Sequence, residues 1–227
     1  VNNLYEYYRK NYQHNNGSIF RNFKINSTEY KNNNWVINDE ITSDVIVNAS
    51  GAWADEVAKV FNIKPVNVIP KKRTVFVFKP KNLNVENKWP LVADVEEKFY
   101  FKNQNEQIYA SPADETPSYP HDCFPDDLDI AVGIDRIKKS TLFEFNSIEH
   151  KWSGLRTFVN DKSPVIGFEN SKKNFFWLVG QGGYGIQTAP ALAEISANLI
   201  LKKKNNFFLN KSSMYNISIE RIRNQML

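Results

Sequence analysis

The 227 residues are 41% apolar and 14% aromatic, enough to build a core in one large domain or two interleaved ones. Basic residues outnumber acidic ones only 29 to 25, so the runs Lys71-Lys72-Arg73 and Lys202-Lys203-Lys204 read as solvated element ends, not a nucleic-acid footprint. One cysteine, Cys123, excludes an internal disulfide; no apolar run reaches membrane-spanning length and no signal peptide is visible at the start, so a cytoplasmic protein is expected.

In chain order, VNNLYEYYRKNYQHNNG places Leu4, Tyr5, Tyr8 and Tyr12 near one helical face and stops at Gly17. SIFRNFKINSTEY and NWVIND, parted by an Asn-rich turn, predict a hairpin. In SDVIVNASGAWADEVAKVF a buried-type strand, Val45-Ile46-Val47, meets the small residues Ala49, Ser50 and Gly51. A helix follows with Trp53, Val57, Val60 and Phe61 on one side. Strand, small-residue turn and helix in that order point to α/β layering.

Beyond Pro65 the texture changes. RTVFVFKP, KFYFKNQ and EQIYASP are short, aromatic and β-branched, which predicts an antiparallel sheet. PDDLDIAVGIDRIKK opens with proline and acids and closes with lysines, the order a helix dipole favours. LFEFNSIEHKW alternates like a strand. FFWLV reads as a buried strand, followed by a glycine turn and a helix from about Thr188 to Lys203; the tail after Asn205 is polar and weakly patterned. The expected fold is mixed α/β (α+β), with a discontinuous domain formed by residues 1–66 and 165–227. An antiparallel-sheet domain, residues 67–164, is inserted into it.

Gly180, Gly182 and Gly185 match G-x-G-x-x-G, but the context of a pyrophosphate fingerprint is missing. No Asp or Glu lies between Glu194 and Glu220 to bind a ribose, and no second parallel strand can follow. The turn still suits a ligand. Gly180, Gly182, Gly183 and Gly185 let backbone amides approach without a Cβ, and the following helix adds a positive dipole end. A reduced flavin, anionic around its N1–C2 edge, fits that description; a tight turn packed on a neighbour fits the glycines equally. His121, Asp122, Cys123 and Asp126 sit among prolines and read as a surface turn, so no metal is expected.

VIVNASGAWADEVAK, WSGLRTFVNDKSPVIGF and FFWLVGQGGYGIQTAPA resemble the D-amino-acid-oxidase-like superfamily of FAD-dependent oxidoreductases. The stretch FYFKNQNEQIYASPADETPSYPHDCFPDDLDIAVGIDRI looks most like its D-arginine dehydrogenase branch. The blocks keep the family's order from Val1 to about Lys203. The resemblance implies that this is the C-terminal part of such an enzyme, with a Rossmann-like domain lacking its N-terminal βαβ unit. Its partners would then be that missing segment and a small amino-acid substrate, with neither nucleic acid nor membrane involved.

The implied reaction is oxidative deamination of an amino acid, most simply a D-amino acid, by hydride transfer from the α-carbon to FAD. By the same resemblance Arg156 would hold the substrate carboxylate, with Arg73 as a second arginine, Tyr100 over the substrate, and Gly154 and Gly183 as nearby backbone contacts. Ile25, Ala49, Gly51, Trp53, Gly182, Gly183, Gly185, Ile186 and Gln187 would border FAD. Cys123 lies outside the flavin turn, which implies a noncovalent cofactor. A glycine- or sarcosine-type amine oxidase, and a truncated non-catalytic fragment that binds a ligand or partner, are the alternatives.

Overall fold

The computed structural model describes residues 1–204 and 210–226. The chain forms two compact units: Val1–Ser50, Ala54–Val66 and Ser163–Leu227 in the first, Gly51–Trp53 and Asn67–Lys162 in the second. Among the described residues, no helix is long and apolar enough to cross a membrane.

The first helix, α1 (Asn2–His14), ends three residues short of the expected stop at Gly17. Gly17 is needed for another reason: a Cβ there would lie 2.4 Å from the Tyr12 ring. No residue of α1 is buried, so the expected tyrosine face is open. Strands β1 (Thr28–Lys31), β2 (Asn34–Ile37) and β3 (Ile41–Ser43) form an antiparallel sheet in that order. The hairpin turn holds Asn32 and Asn33 at φ 52° and 68°, the left-handed pair that a two-residue turn demands and asparagine tolerates. The first strand is shorter than SIFRNFKINSTEY suggested, because Asn38 replaces the ladder. Its Oδ1 accepts from the amides of Asn26 and Ser27 at 2.8 and 3.1 Å, and its Nδ2 donates to Lys24 O.

β4 (Ile46–Asn48), a 3₁₀ turn (Gly51–Trp53) and α2 (Ala54–Val60) follow. β4 is the edge of its sheet, and Val47 is 43% exposed where a buried strand was expected. α2 also differs from expectation. It buries Ala54 and Ala58, with Phe61 just beyond its end, and leaves Trp53 39% exposed.

The second unit holds β5 (Ile69–Phe78), β6 (Val92–Ala93), β7 (Tyr100–Gln104), β8 (Gln107–Ser111), α3 (Asp127–Ser140) and β9 (His150–Phe158). Its strands form one sheet in the order β6-β7-β8-β5-β9, every pairing antiparallel. Asp126 caps α3 by accepting from the Leu128 amide at 2.8 Å, and the helix buries Ile130, Gly133 and Ile137. These residues pack with Phe76, Phe78, Phe101, Phe143 and Phe145. The alternation of LFEFNS does bury Phe143 and Phe145, but no strand forms there. Glu144 instead takes the Asn82 side chain and the Lys81 amide as its backbone partners.

The chain re-enters the first unit through β10 (Val165–Phe168) and β11 (Phe175–Val179), which join β4 in the order β10-β11-β4. β11 is antiparallel to β10 and parallel to β4. α4 (Gly185–Ile200) begins before the expected Thr188, because the glycine turn closes directly into the helix. In the described part of the tail, where the polar sequence suggested little pattern, α5 (Lys211–Tyr215) and α6 (Ile219–Gln225) both form, and α6 buries Ile219, Arg221 and Ile222.

Candidate functional site

Strand alternation puts Lys71 and Arg73 on one face of β5. The antiparallel register sets Arg156 of β9 directly opposite Lys71, and Gly154 opposite Arg73. Three cations therefore share a face with one glycine gap. A Cβ on Gly154 would meet no atom within 4 Å, so the space facing Arg73 is open. The Arg73 guanidinium lies 5.8 Å from the Tyr100 ring centroid, a cation–π contact that steadies it from β7.

The cations converge on one carboxylate. Lys71 Nζ donates to Glu115 Oε2 at 3.0 Å, Arg73 Nη2 donates to Oε1 at 3.1 Å, and Arg156 Nη1 lies 3.6 Å from Oε1. The Lys71 hydrogen bond holds the Glu115 carboxyl below the usual carboxylate range; partial burial opposes it, and the charges of Lys71, Arg73 and Arg156 add to the lowering. Arg73 Nε is buried with no acceptor among the described residues, so the cluster has donor capacity that Glu115 leaves unused.

Glu115 belongs to the segment after β8. Ala113 adopts φ 54° there, with its amide donating to Ser111 Oγ at 3.1 Å. Asp114 accepts from the Thr74 amide at 2.7 Å and from Thr74 Oγ1 at 3.0 Å, and Thr74 Oγ1 lies 3.0 Å from Ser153 Oγ. On the other side, Lys72 N donates to Thr116 O and Ser118 N donates to Pro70 O, both at 2.9 Å. The sequence reading missed Glu115 and Lys71. The lysine's place opposite Arg156 follows from strand register, but the carboxylate's place follows only from the loop.

In the first unit, β11 runs into a turn with Gly180 at φ 74° and Gly182 at φ 57°. Side chains at these positions would be strained. Tyr184 is the N-cap of α4 but makes no side-chain cap, and among the described residues no side chain is bonded to the amides of the first turn. Gly183, Ile186 and Gln187 are exposed around it. An uncapped sixteen-residue helix behind a glycine turn fits the electron-rich ring edge of FAD. After β4, buried Asn48 shapes the next turn: its Nδ2 donates to Ala54 O at 2.9 Å and its Oδ1 accepts from Ser50 Oγ at 2.6 Å.

The expected site residues thus fall into separate groups. Arg73, Tyr100, Gly154 and Arg156 come together on one face of the second unit. Gly182, Gly183, Gly185, Ile186 and Gln187 are contiguous in the first. Ala49 follows β4, Ile25 precedes β1, and Gly51 (φ 57°) and Trp53 form the 3₁₀ turn. Burial pushes the Cys123 thiol up, away from a reactive thiolate. His121 stacks on Tyr119, and Asp126 is taken up capping α3.

The family profile described as "DAO: FAD dependent oxidoreductase" matches residues 2–199. FAD-dependent oxidoreductase domain-containing protein 1 of Bos taurus is 24% identical over 70% of this chain and 36% of its own length; that of Xenopus laevis is 27% identical over 71% and 35%. Among solved structures, glycine oxidase from Geobacillus kaustophilus superposes with a TM-score of 0.66 at 17% identity, covering 89% of this chain and 54% of that one. L-proline dehydrogenase from P. horikoshii gives 0.66 at 22% identity, covering 81% and 50%. L-amino acid deaminase from Proteus vulgaris gives 0.65 at 20% identity, covering 87% and 49%. The chain spans about half the length of these structures and little more than a third of those curated relatives.

Proposed function

This chain belongs to the DAO family of FAD-dependent oxidoreductases, and from that premise we propose that it forms part of an enzyme that oxidatively deaminates an amino acid. The observation that carries the proposal is the convergence of Lys71, Arg73 and Arg156 on a single carboxylate beside the open position at Gly154. Every amino-acid substrate presents a carboxylate that must be recognised.

In this reading Arg156 and Arg73 take the substrate carboxylate. Their planar guanidinium groups offer paired donors that match the two oxygens of a carboxylate. Tyr100 fixes Arg73 through its ring face, and Gly154 leaves space for the ligand. The substrate loses a hydride from its α-carbon and a proton from its nitrogen; water hydrolyses the resulting imine to a 2-oxo acid and ammonia. FAD, when bound, supplies the two-electron acceptor. The residues that would border it are Gly182, Gly183, Gly185, Ile186 and Gln187 at the head of α4, with Ile25, Ala49, Gly51 and Trp53.

Three finer points belong to the proposal. The cofactor is held noncovalently, since Cys123 is a half-buried thiol in the segment before α3. The substrate is a D-amino acid, as the likeness of the β7–α3 region to the D-arginine dehydrogenase branch suggests. The remaining FAD contacts come from a segment of the same enzyme outside these residues, and the enzyme works in the cytoplasm.

The test is a visible spectrum of the full-length protein, repeated on the supernatant after acid precipitation. Flavin bands that leave with the supernatant are expected. Colour retained in the pellet contradicts noncovalent binding, and a colourless protein that takes up no added FAD contradicts the proposal itself.

A further inference from the structure

Resting on the reading of the β5–β9 face as a carboxylate site, we propose that Glu115 sets its selectivity. It is an internal carboxylate that an acidic ligand must displace, and once displaced it disfavours ligands whose carboxylate has no neighbouring cationic nitrogen.

The contacts argue for this directly. Both Glu115 oxygens are gripped as a ligand's would be: Oε1 by Arg73 at 3.1 Å with Arg156 at 3.6 Å, and Oε2 by Lys71 at 3.0 Å. The side chain is 41% exposed, so a ligand can reach it. Its backbone is pinned on both sides. Asp114 is tied to Thr74, and the Thr116 carbonyl and Ser118 amide are tied to Lys72 and Pro70. Displacement is therefore the rotation of one side chain, without movement of the segment that carries it.

The displaced carboxylate stays beside the ligand that replaced it. There it repels a bare carboxylate and attracts an ammonium group on the adjacent carbon. A face carrying three cations would otherwise take up any small anion. Glu115 turns it into a face that prefers zwitterions, which is what an amino-acid site needs.

The experiment is calorimetric titration of the full-length, flavin-loaded protein, kept anaerobic and reduced so that no turnover occurs. Sodium acetate and glycine are the two ligands, and wild type, Glu115→Gln, Glu115→Ala and Arg156→Ala are compared. Both Glu115 variants should bind acetate about tenfold more tightly, the scale of one charge-assisted contact, while glycine affinity changes by less than about threefold. Equal shifts for the two ligands would sink the selectivity role, and so would weaker acetate binding, which would make Glu115 an organiser of the arginines. If binding depends on Arg156 but not on Glu115, only the inference fails. If neither ligand binds any form of the protein, the reading of the face fails and the inference with it.

Discussion

Gly133 sits in the middle of α3, where alanine would ordinarily be worth about 1 kcal/mol of helix stability. Here an added Cβ would lie 2.6 Å from Phe76 Cε1 and 3.3 Å from Pro112 Cβ. Overpacking wins, because Phe76 is fully buried and has nowhere to go. Gly133→Ala should lower stability by about 1–3 kcal/mol, measured by urea unfolding with an unchanged slope. At this scale the sequence was partly legible. Arg73 and Arg156 could be singled out, because a resemblance marks single positions. Glu115 could not, because it reaches three side chains on β5 and β9 only through the path of the loop after β8. The buried faces of α2 were misread for a similar reason: Trp53 and Val57 are the larger apolar residues, but Ala54 and Ala58 are the buried ones.

α6 is an element whose presence the sequence hid. Its polar composition conceals the tie that docks it: Arg223 Nε donates to Glu169 Oε2 at 3.1 Å, and its other nitrogens reach Pro65 O at 3.0 Å and Lys64 O at 2.7 Å. The Glu169 side chain is 1% exposed and also accepts from Trp177 Nε1 at 3.0 Å. Burial pushes its carboxyl up, but Arg223, the Ser171 amide and Trp177 together outweigh that and hold it below the usual range. A carboxyl depressed in the fold contributes its stability above the ordinary carboxylate pKa and loses it as pH falls through the depressed value. Thermal melts from pH 7 downward should therefore show a smaller acid-induced loss for Glu169→Gln than for wild type. Arg223→Ala leaves a buried charge without its partner and should cost about 3–5 kcal/mol, with amide exchange accelerated in α6 first. Equal exchange rates in α6 for the two proteins would remove this account of the docking.

Local signals carried much of the architecture. The antiparallel strands at RTVFVF, KFYFKNQ and EQIYAS, the helix after Pro125 and the strand at FFWLV follow from periodicity and end residues, and all form. LFEFNS shows the limit: it has strand periodicity and inward-facing phenylalanines, but β9 begins only at His150 and leaves it no ladder partner. Mixed α/β architecture with antiparallel sheets is shared with FAD-dependent oxidoreductases of known structure. The proposed function draws on two features, each within its own unit: the glycine turn before α4 and the cationic face of β5 and β9.

The measurement that tests the account most directly is anaerobic mixing of the full-length, FAD-loaded protein with a panel of amino acids of both configurations, followed by flavin absorbance. The account predicts bleaching by at least one amino acid, with a D-amino acid the most effective. It also predicts that Arg156→Ala raises the half-saturating concentration by about tenfold or more while its flavin spectrum stays that of wild type. No bleaching by any amino acid, or bleaching untouched by loss of Arg156, would contradict it.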